Sequence, residues 1–226
     1  GSGVTSQTVD VATTQDALDE YDETLTLTLS NPVASILGAV PASTGTIVDD
    51  GTGTIFKADG SENTGAVKDD DRALTVTSPT VNEASPYAVF TVTGATGQLV
   101  KLSLTAGTAT LVDGTPATDG TEDFGPGLQY WNGTAWTTYA ADSYVAIPAG
   151  GTTLLVRTAI VNDTADEGAH PFTLTATSTG AASAATATAT INDQGAGTIL
   201  NDNGSENTTA PKDDDRKLSV ADITVN

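Results

Sequence analysis

The chain has no cysteine and no methionine, and only 5% of its residues are aromatic. Without cysteine, no disulfide can hold the fold and no thiolate can serve as nucleophile or zinc ligand. A single histidine, His170, argues further against a zinc centre. Lys and Arg number 8 against 29 Asp and Glu, a formal net charge of -21. With no basic stripe the chain is not expected to bind nucleic acid, and anionic membrane surfaces would repel it. No apolar run is long enough to span a bilayer or form a signal peptide. The sequence is therefore expected to be soluble, with any export signal elsewhere in a longer precursor.

What is abundant is Thr, Val, Ala and Gly, the composition of short strands and tight turns. Alternating apolar runs recur at Leu74–Thr77, Ala88–Thr93, Val100–Leu104, Leu128–Trp131, Tyr144–Ile147, Leu154–Ile160, Phe172–Thr177 and Ala184–Ile191. Glu83 follows a further short strand in the sequence TVNE. Helical periodicity appears nowhere. Seven or eight short strands predict an all-β fold, a Greek-key sandwich of the immunoglobulin-like kind. Phe90, Val92, Leu102, Leu104, Leu154, Val156, Phe172 and Leu174 should face inward, and short connections predict antiparallel pairing throughout.

The sandwich is expected to be repeated in tandem. Residues 59–82 (DGSENTGAVKDDDRALTVTSPTVN) and 203–226 (NGSENTTAPKDDDRKLSVADITVN) are identical at 16 of 24 positions, 144 residues apart. IVDDGTGTIF (47–56) matches INDQGAGTIL (191–200) at the same offset, and LDEYDETLTLTLS (18–30) matches ADEGAHPFTLTAT (165–177) at 147. The expected layout is the C-terminal part of one sandwich (1–56), a linker (57–71), a complete sandwich (72–200), a second linker (201–215) and the first strand of the next repeat (216–226), cut from a longer array.

Carboxylates gather at the turns between these strands. Asp69, Asp70 and Asp71 precede the first strand of one unit, and Asp213, Asp214 and Asp215 that of the next. Asp119, Glu122 and Asp123 share a Gly-rich loop. Asp163, Asp166 and Glu167 form the turn NDTADE, echoed by Asp16, Asp19 and Glu20. Asp49 and Asp50, with Asn192 and Asp193 as counterparts, end the last long strand, and Asp202 opens the connector. Adjacent carboxylates repel unless a cation sits among them, and Ca²⁺ takes about 6–8 oxygen ligands of this kind. Charged turns also simply keep a β surface soluble and discourage edge pairing, but that does not explain why DDDR returns in the same place 144 residues later.

VNEASPYAVFTVTG, VNDTADEGAHPFTLTATSTG and GAGTILNDNG, in that order, resemble the Calx-beta motif. The longer unit is similar to the immunoglobulin-like extender repeats of large RTX-type bacterial adhesins. This resemblance implies Ca²⁺ at domain ends and linkers, with Glu83, Asp166, Glu167, Asp19, Glu20, Asp49 and Asp50 matching motif acids. The complete copy departs at Gly168, Ala169 and His170, where the family often has further acids.

The function expected on this basis is a calcium-stiffened spacer of a secreted bacterial cell-surface adhesin. Its partners would be neighbouring repeats of the same chain, with self-association into a fibre or surface layer as an alternative and no membrane insertion. Another alternative is a carbohydrate- or protein-binding module. Trp131 and Trp136 bracket the turn NGTA, and with Tyr130 and Tyr139 they could form a sugar-stacking platform. The preferred reading is that this hairpin caps one end of the core. No catalytic residue is expected: there is no nucleophile-elbow sequence, and the carboxylate pairs on turns give acid–base catalysis no specific support.

Overall fold

Period-two alternation sorts the long strands into a buried row and an outer row. A computed structural model of the chain describes residues 6–112 and 122–225, so Asp119 lies outside the described residues. Two units are distinguished, Gly1–Ala73 with Ser178–Ala182, and Leu74–Thr177 with Ser183–Asn226. All regular structure among the described residues is strand, and none of it is a helix long and apolar enough to cross a membrane.

The first unit holds one antiparallel ribbon, β1 (Glu23–Thr28) and β2 (Ala42–Ile47), in register from Glu23 opposite Ile47 to Thr28 opposite Ala42. Among the described residues the second unit carries ten strands. They are β3 (Thr75–Val76), β4 (Thr80–Asn82), β5 (Tyr87–Thr93), β6 (Leu99–Ala106), β7 (Phe124–Trp131), β8 (Trp136–Thr138), β9 (Tyr144–Ala146), β10 (Thr153–Ile160), β11 (Ala169–Ser178) and β12 (Ala185–Asn192). Two five-stranded sheets result, in the orders β3-β5-β10-β7-β8 and β4-β12-β11-β6-β9. This is the all-β, immunoglobulin-like sandwich the strand pattern implies.

Phe90, Val92, Leu102, Leu154, Val156, Phe172 and Leu174 are buried, and Leu104 packs against them. Phe172 stacks on Phe124 at 4.4 Å between centroids and meets Phe90 edge-on at 5.8 Å. Burying side chains of this size stabilises the fold by about 1.5–3 kcal/mol each. Tyr139 closes one end of the core: its hydroxyl accepts the Leu102 N–H at 3.0 Å and donates to the Ser143 carbonyl at 2.6 Å.

One expectation about pairing fails. β4 lies parallel to β12, from Thr80 opposite Thr190 to Asn82 opposite Asn192. Short connections favour antiparallel partners only between neighbours in sequence, and these two strands are joined through almost the whole sandwich. Thr198 extends the parallel pairing by bridging Val81. Gly197 makes that approach possible, because its φ is +84° and a Cβ there would stand 2.5 Å from the Asn82 nitrogen.

Candidate metal centre

The DDDR segments are extended, so alternate side chains leave on opposite sides. Asp70 bridges Asp50 antiparallel, and Asp214 bridges Gln194 in the same way. In each segment the middle aspartate turns to the arginine two residues on. Arg72 Nε and Nη2 reach the two oxygens of Asp70 at 2.8 and 2.6 Å. Arg216 grips Asp214 with the same two nitrogens, which holds the Asp214 carboxyl below its usual range. The outer aspartates, Asp69 and Asp71 or Asp213 and Asp215, are left for the acidic clusters.

In the sandwich unit, Glu83, Asp213 and Asp215 offer oxygens that all lie within 4.8 Å of one another. Two oxygens on one Ca²⁺, each 2.3–2.6 Å from the ion, stand at most about 5 Å apart, so the spacing fits. Glu83 is 5% exposed and Asp193 2%. The Asp163 N–H donates to Glu83 Oε1 at 2.9 Å, and the Glu167 N–H donates to Asp193 Oδ2 at 2.6 Å. No donor reaches the remaining buried oxygens, Glu83 Oε2, Asp193 Oδ1 and Asp215 Oδ2. Burial pushes the Glu83 carboxyl well above its ordinary range, against the pull of the Asp163 N–H and with help from Asp193.

The first unit repeats this arrangement with its own residues. Asp49, Asp69 and Asp71 bring oxygens within 4.8 Å of one another. The Glu20 N–H donates to Asp49 Oδ2 at 3.0 Å, as Glu167 does to Asp193, and the Leu18 N–H to Asp16 Oδ1 at 3.0 Å, as Ala165 does to Asp163 at 2.7 Å. These bonds pair Asp49 with Asp193, so Gln194 is the counterpart of Asp50 and the correspondence with Asn192 is one residue out of step. Asp69 Oδ1 and Asp71 Oδ1 are buried without a donor. Burial and the charges of Asp69, Asp49 and Asp16 push the Asp71 carboxyl up to about 6.

Two unit charges 4 Å apart repel by about 4 kcal/mol at an effective dielectric near 20. Crowding three carboxylates, one buried and two half-buried in each group, is therefore costly unless protons or a cation enter the set. Orphaned, donor-free carboxylate oxygens at this spacing suit a hard cation, and the all-oxygen set suits Ca²⁺ rather than zinc.

A third group joins Asp123, Glu167 and His170. His170 Nδ1 lies 2.7 Å from Asp123 Oδ1 and 3.6 Å from Glu167 Oε2. Asp123 Oδ2 accepts the Thr110 N–H at 2.6 Å. Burial and the charge of Asp123 raise the Glu167 carboxyl, and His170 opposes the shift. The 147-residue offset sets Glu23 at the position of His170, so an imidazole here stands where the other copy has an acid.

Other candidate acids are placed elsewhere. Asp50 accepts both the backbone N–H and the hydroxyl of Thr52, which lowers its carboxyl. Asp19 and Asp166 are exposed at their turns. Asp202 serves through its backbone carbonyl, which accepts Arg157 Nη1 at 2.6 Å and Trp136 Nε1 at 2.7 Å. The Arg157 guanidinium lies over the rings of Tyr87 and Trp136, at 3.7 and 4.2 Å from their centroids. Tyr139 and Tyr130 do join the core, but the two tryptophans do not. Leu128 and Tyr130 point inward from β7, so Trp131, one residue out of phase, must point outward. Sequence reasoning also passed over Asn82, whose fully buried amide makes five hydrogen bonds next to Glu83.

No protein-family model and no curated protein matches the sequence. Among solved structures, the chain is similar to the crystal structure of CBD12 from CALX1.2, at 18% identity and a TM-score of 0.35, over 54% of this chain and 45% of that one. It is also similar to the CsuC–CsuE chaperone–tip adhesion subunit pre-assembly complex from archaic chaperone-usher Csu pili of Acinetobacter baumannii. There the identity is 9% and the TM-score 0.31, over 58% of this chain and 62% of that one. The chain thus spans less than two thirds of the length of either.

Proposed function

We propose that the chain is a run of structural spacer repeats from a bacterial cell-surface adhesin, made rigid by Ca²⁺ at the ends of its sandwiches. One observation carries this reading. Carboxylates of Glu83, Asp213 and Asp215 converge, as do those of Asp49, Asp69 and Asp71 in the other copy, and Glu83, Asp215, Asp69 and Asp71 each keep a buried oxygen with no donor, as does the neighbouring Asp193. In the sandwich unit Glu83, Asp193, Asp213 and Asp215, with Asp163 and Glu167 at the margin, would hold the ion. In the other copy the set would be Asp49, Asp69 and Asp71 with Glu20. The ion supplies charge neutralisation and oxygen cross-linking, tying the segment before one sandwich to the turns of the last. The tandem layout, with linkers at 57–71 and 201–215, and the extracellular setting complete the proposal and rest on the sequence repeat and its resemblance to extender repeats.

Small-angle scattering with Ca²⁺ and with chelator tests it. A longer maximum dimension and a higher melting temperature with Ca²⁺ support the reading. An unchanged dimension together with an unchanged melting temperature overturns it.

A further inference from the structure

The connector that brings Asp213 and Asp215 to Glu83 is fastened by groups that need no cation. We propose that Asn82 is the positioning residue of this centre, clasping the Asp213 peptide so that the connector is docked before any ion arrives. Asn82 is the last residue of β4 and is 0% exposed. Its Oδ1 accepts the Asp213 N–H at 2.8 Å and the Ala84 N–H at 3.1 Å. Its amide nitrogen lies 3.1 Å from the Asp213 carbonyl and 3.0 Å from those of Asn192 and Ala196, two N–H groups shared among three acceptors. One side chain therefore binds both the backbone N–H and the carbonyl of a residue 131 positions away, the end of β12 and the following turn. The next residue, Glu83, belongs to the acidic cluster.

A second fastener holds the other end of the connector. Arg157 and Trp136 both donate to the Asp202 carbonyl, and the Arg157 Nε is held by Gln129 Oε1 at 2.9 Å. The turn that carries Asp202 closes through its own bonds, Asn201 N–H to Ser205 O at 2.8 Å and Asn207 N–H to Ile199 O at 2.7 Å. Every donor here is an amide, indole or guanidinium. The Asp213 carboxylate accepts the Asp214 N–H at 3.0 Å and the Asn162 amide, whereas Asp215 Oδ2, like Glu83 Oε2, is buried with no donor, so a cation completes a joint whose backbone is already set. The clasp holds whether or not an ion binds; its effect on cation affinity rests on the reading above.

Hydrogen exchange on the whole chain in chelator, paired with calcium titration, tests the proposal. Losing a buried hydrogen bond weakens local structure by about 1–1.5 kcal/mol, roughly tenfold in exchange. The wild type should protect the Asp213 and Gly195 amides without metal. Asn82→Ala should speed their exchange about tenfold or more and weaken calcium binding, with Phe90 and Val156 in the core still protected. Should Asn82→Ala unsettle the core, Arg157→Met keeps the β4–β12 ladder and should speed exchange at Gly204 and Asn207. A wild-type connector that exchanges freely in chelator, or an Asn82→Ala chain with wild-type protection at Asp213, overturns it. If the wild type takes up no calcium, the metal reading fails while the exchange arm still judges Asn82.

Discussion

Asp163 donates its backbone N–H to Glu83 Oε1 at 2.9 Å, joining residues 80 apart in sequence. That bond engages one oxygen of a buried carboxylate and leaves the other, Oε2, buried with no donor, in a side chain grouped with Asp213 and Asp215. Much of the behaviour expected of this chain follows from that imbalance.

The split of the DDDR segment can be tested with two changes of equal charge. Asp214→Asn removes only the carboxylate that Arg216 holds, and calcium affinity should stay within about twofold. Asp215→Asn removes a carboxylate of the cluster, and affinity should fall by about tenfold or more, because affinity follows the charge and number of ligands. Calorimetric titration of both variants decides, and equal losses would mean that the two side chains share one environment.

Acidity should act in an unusual direction when metal is absent. The Asp71 carboxyl is raised to about 6 and that of Glu83 is raised as well, against unfolded values near 4. The folded state thus holds protons that the unfolded chain has already lost. Their stabilisation is complete below the unfolded value and is lost as pH rises through the folded one. In chelator the melting temperature should fall between about pH 5 and 7. Saturating Ca²⁺ should flatten or reverse the trend, since ion and proton compete for the same oxygens. A metal-free melting temperature that climbs over this window would contradict the electrostatic account.

Two glycines with positive φ should differ sharply on substitution. Gly133, at φ +98°, has nothing within 4 Å of a built Cβ, so Gly133→Ala should cost about 1 kcal/mol of backbone strain. Gly197, at φ +84°, would put its Cβ 2.6 Å from the Val81 carbonyl oxygen. Gly197→Ala should cost about 3 kcal/mol or more, as strain and collision add. Denaturant unfolding of the two variants gives the comparison.

His170→Glu restores the acid that the other copy carries as Glu23. The variant should bind calcium about tenfold more tightly at the Asp123–Glu167 end. Without metal it should lose about 1–3 kcal/mol, because Asp123, 5% exposed, loses its imidazole partner. Titration and chelated melting curves together check both halves.

The sandwich was legible because strand alternation is local: the pattern from Ala88 to Val92 and from Leu154 to Val156 names its own buried face. The same rule, carried through from Leu128, would have turned Trp131 outward, and it would have separated Asp214 from Asp213 and Asp215. What no local pattern encodes is contact across the chain. The parallel partner of β4 lies more than a hundred residues away, and Asn82 acts on a peptide 131 residues distant. An asparagine in TVNE reads as an ordinary strand end until the connector folds back onto it. The acids stood out individually, yet their grouping depends on which oxygens lack donors, a three-dimensional property.

Counting ions on the intact chain by native mass spectrometry tests the metal account most directly. Calcium should add specifically and saturably to the wild type, and at least one ion should be lost when Glu83→Gln is combined with Asp215→Asn. A wild-type chain that takes up no calcium at millimolar concentration, or a double variant that keeps the wild-type count, would contradict it.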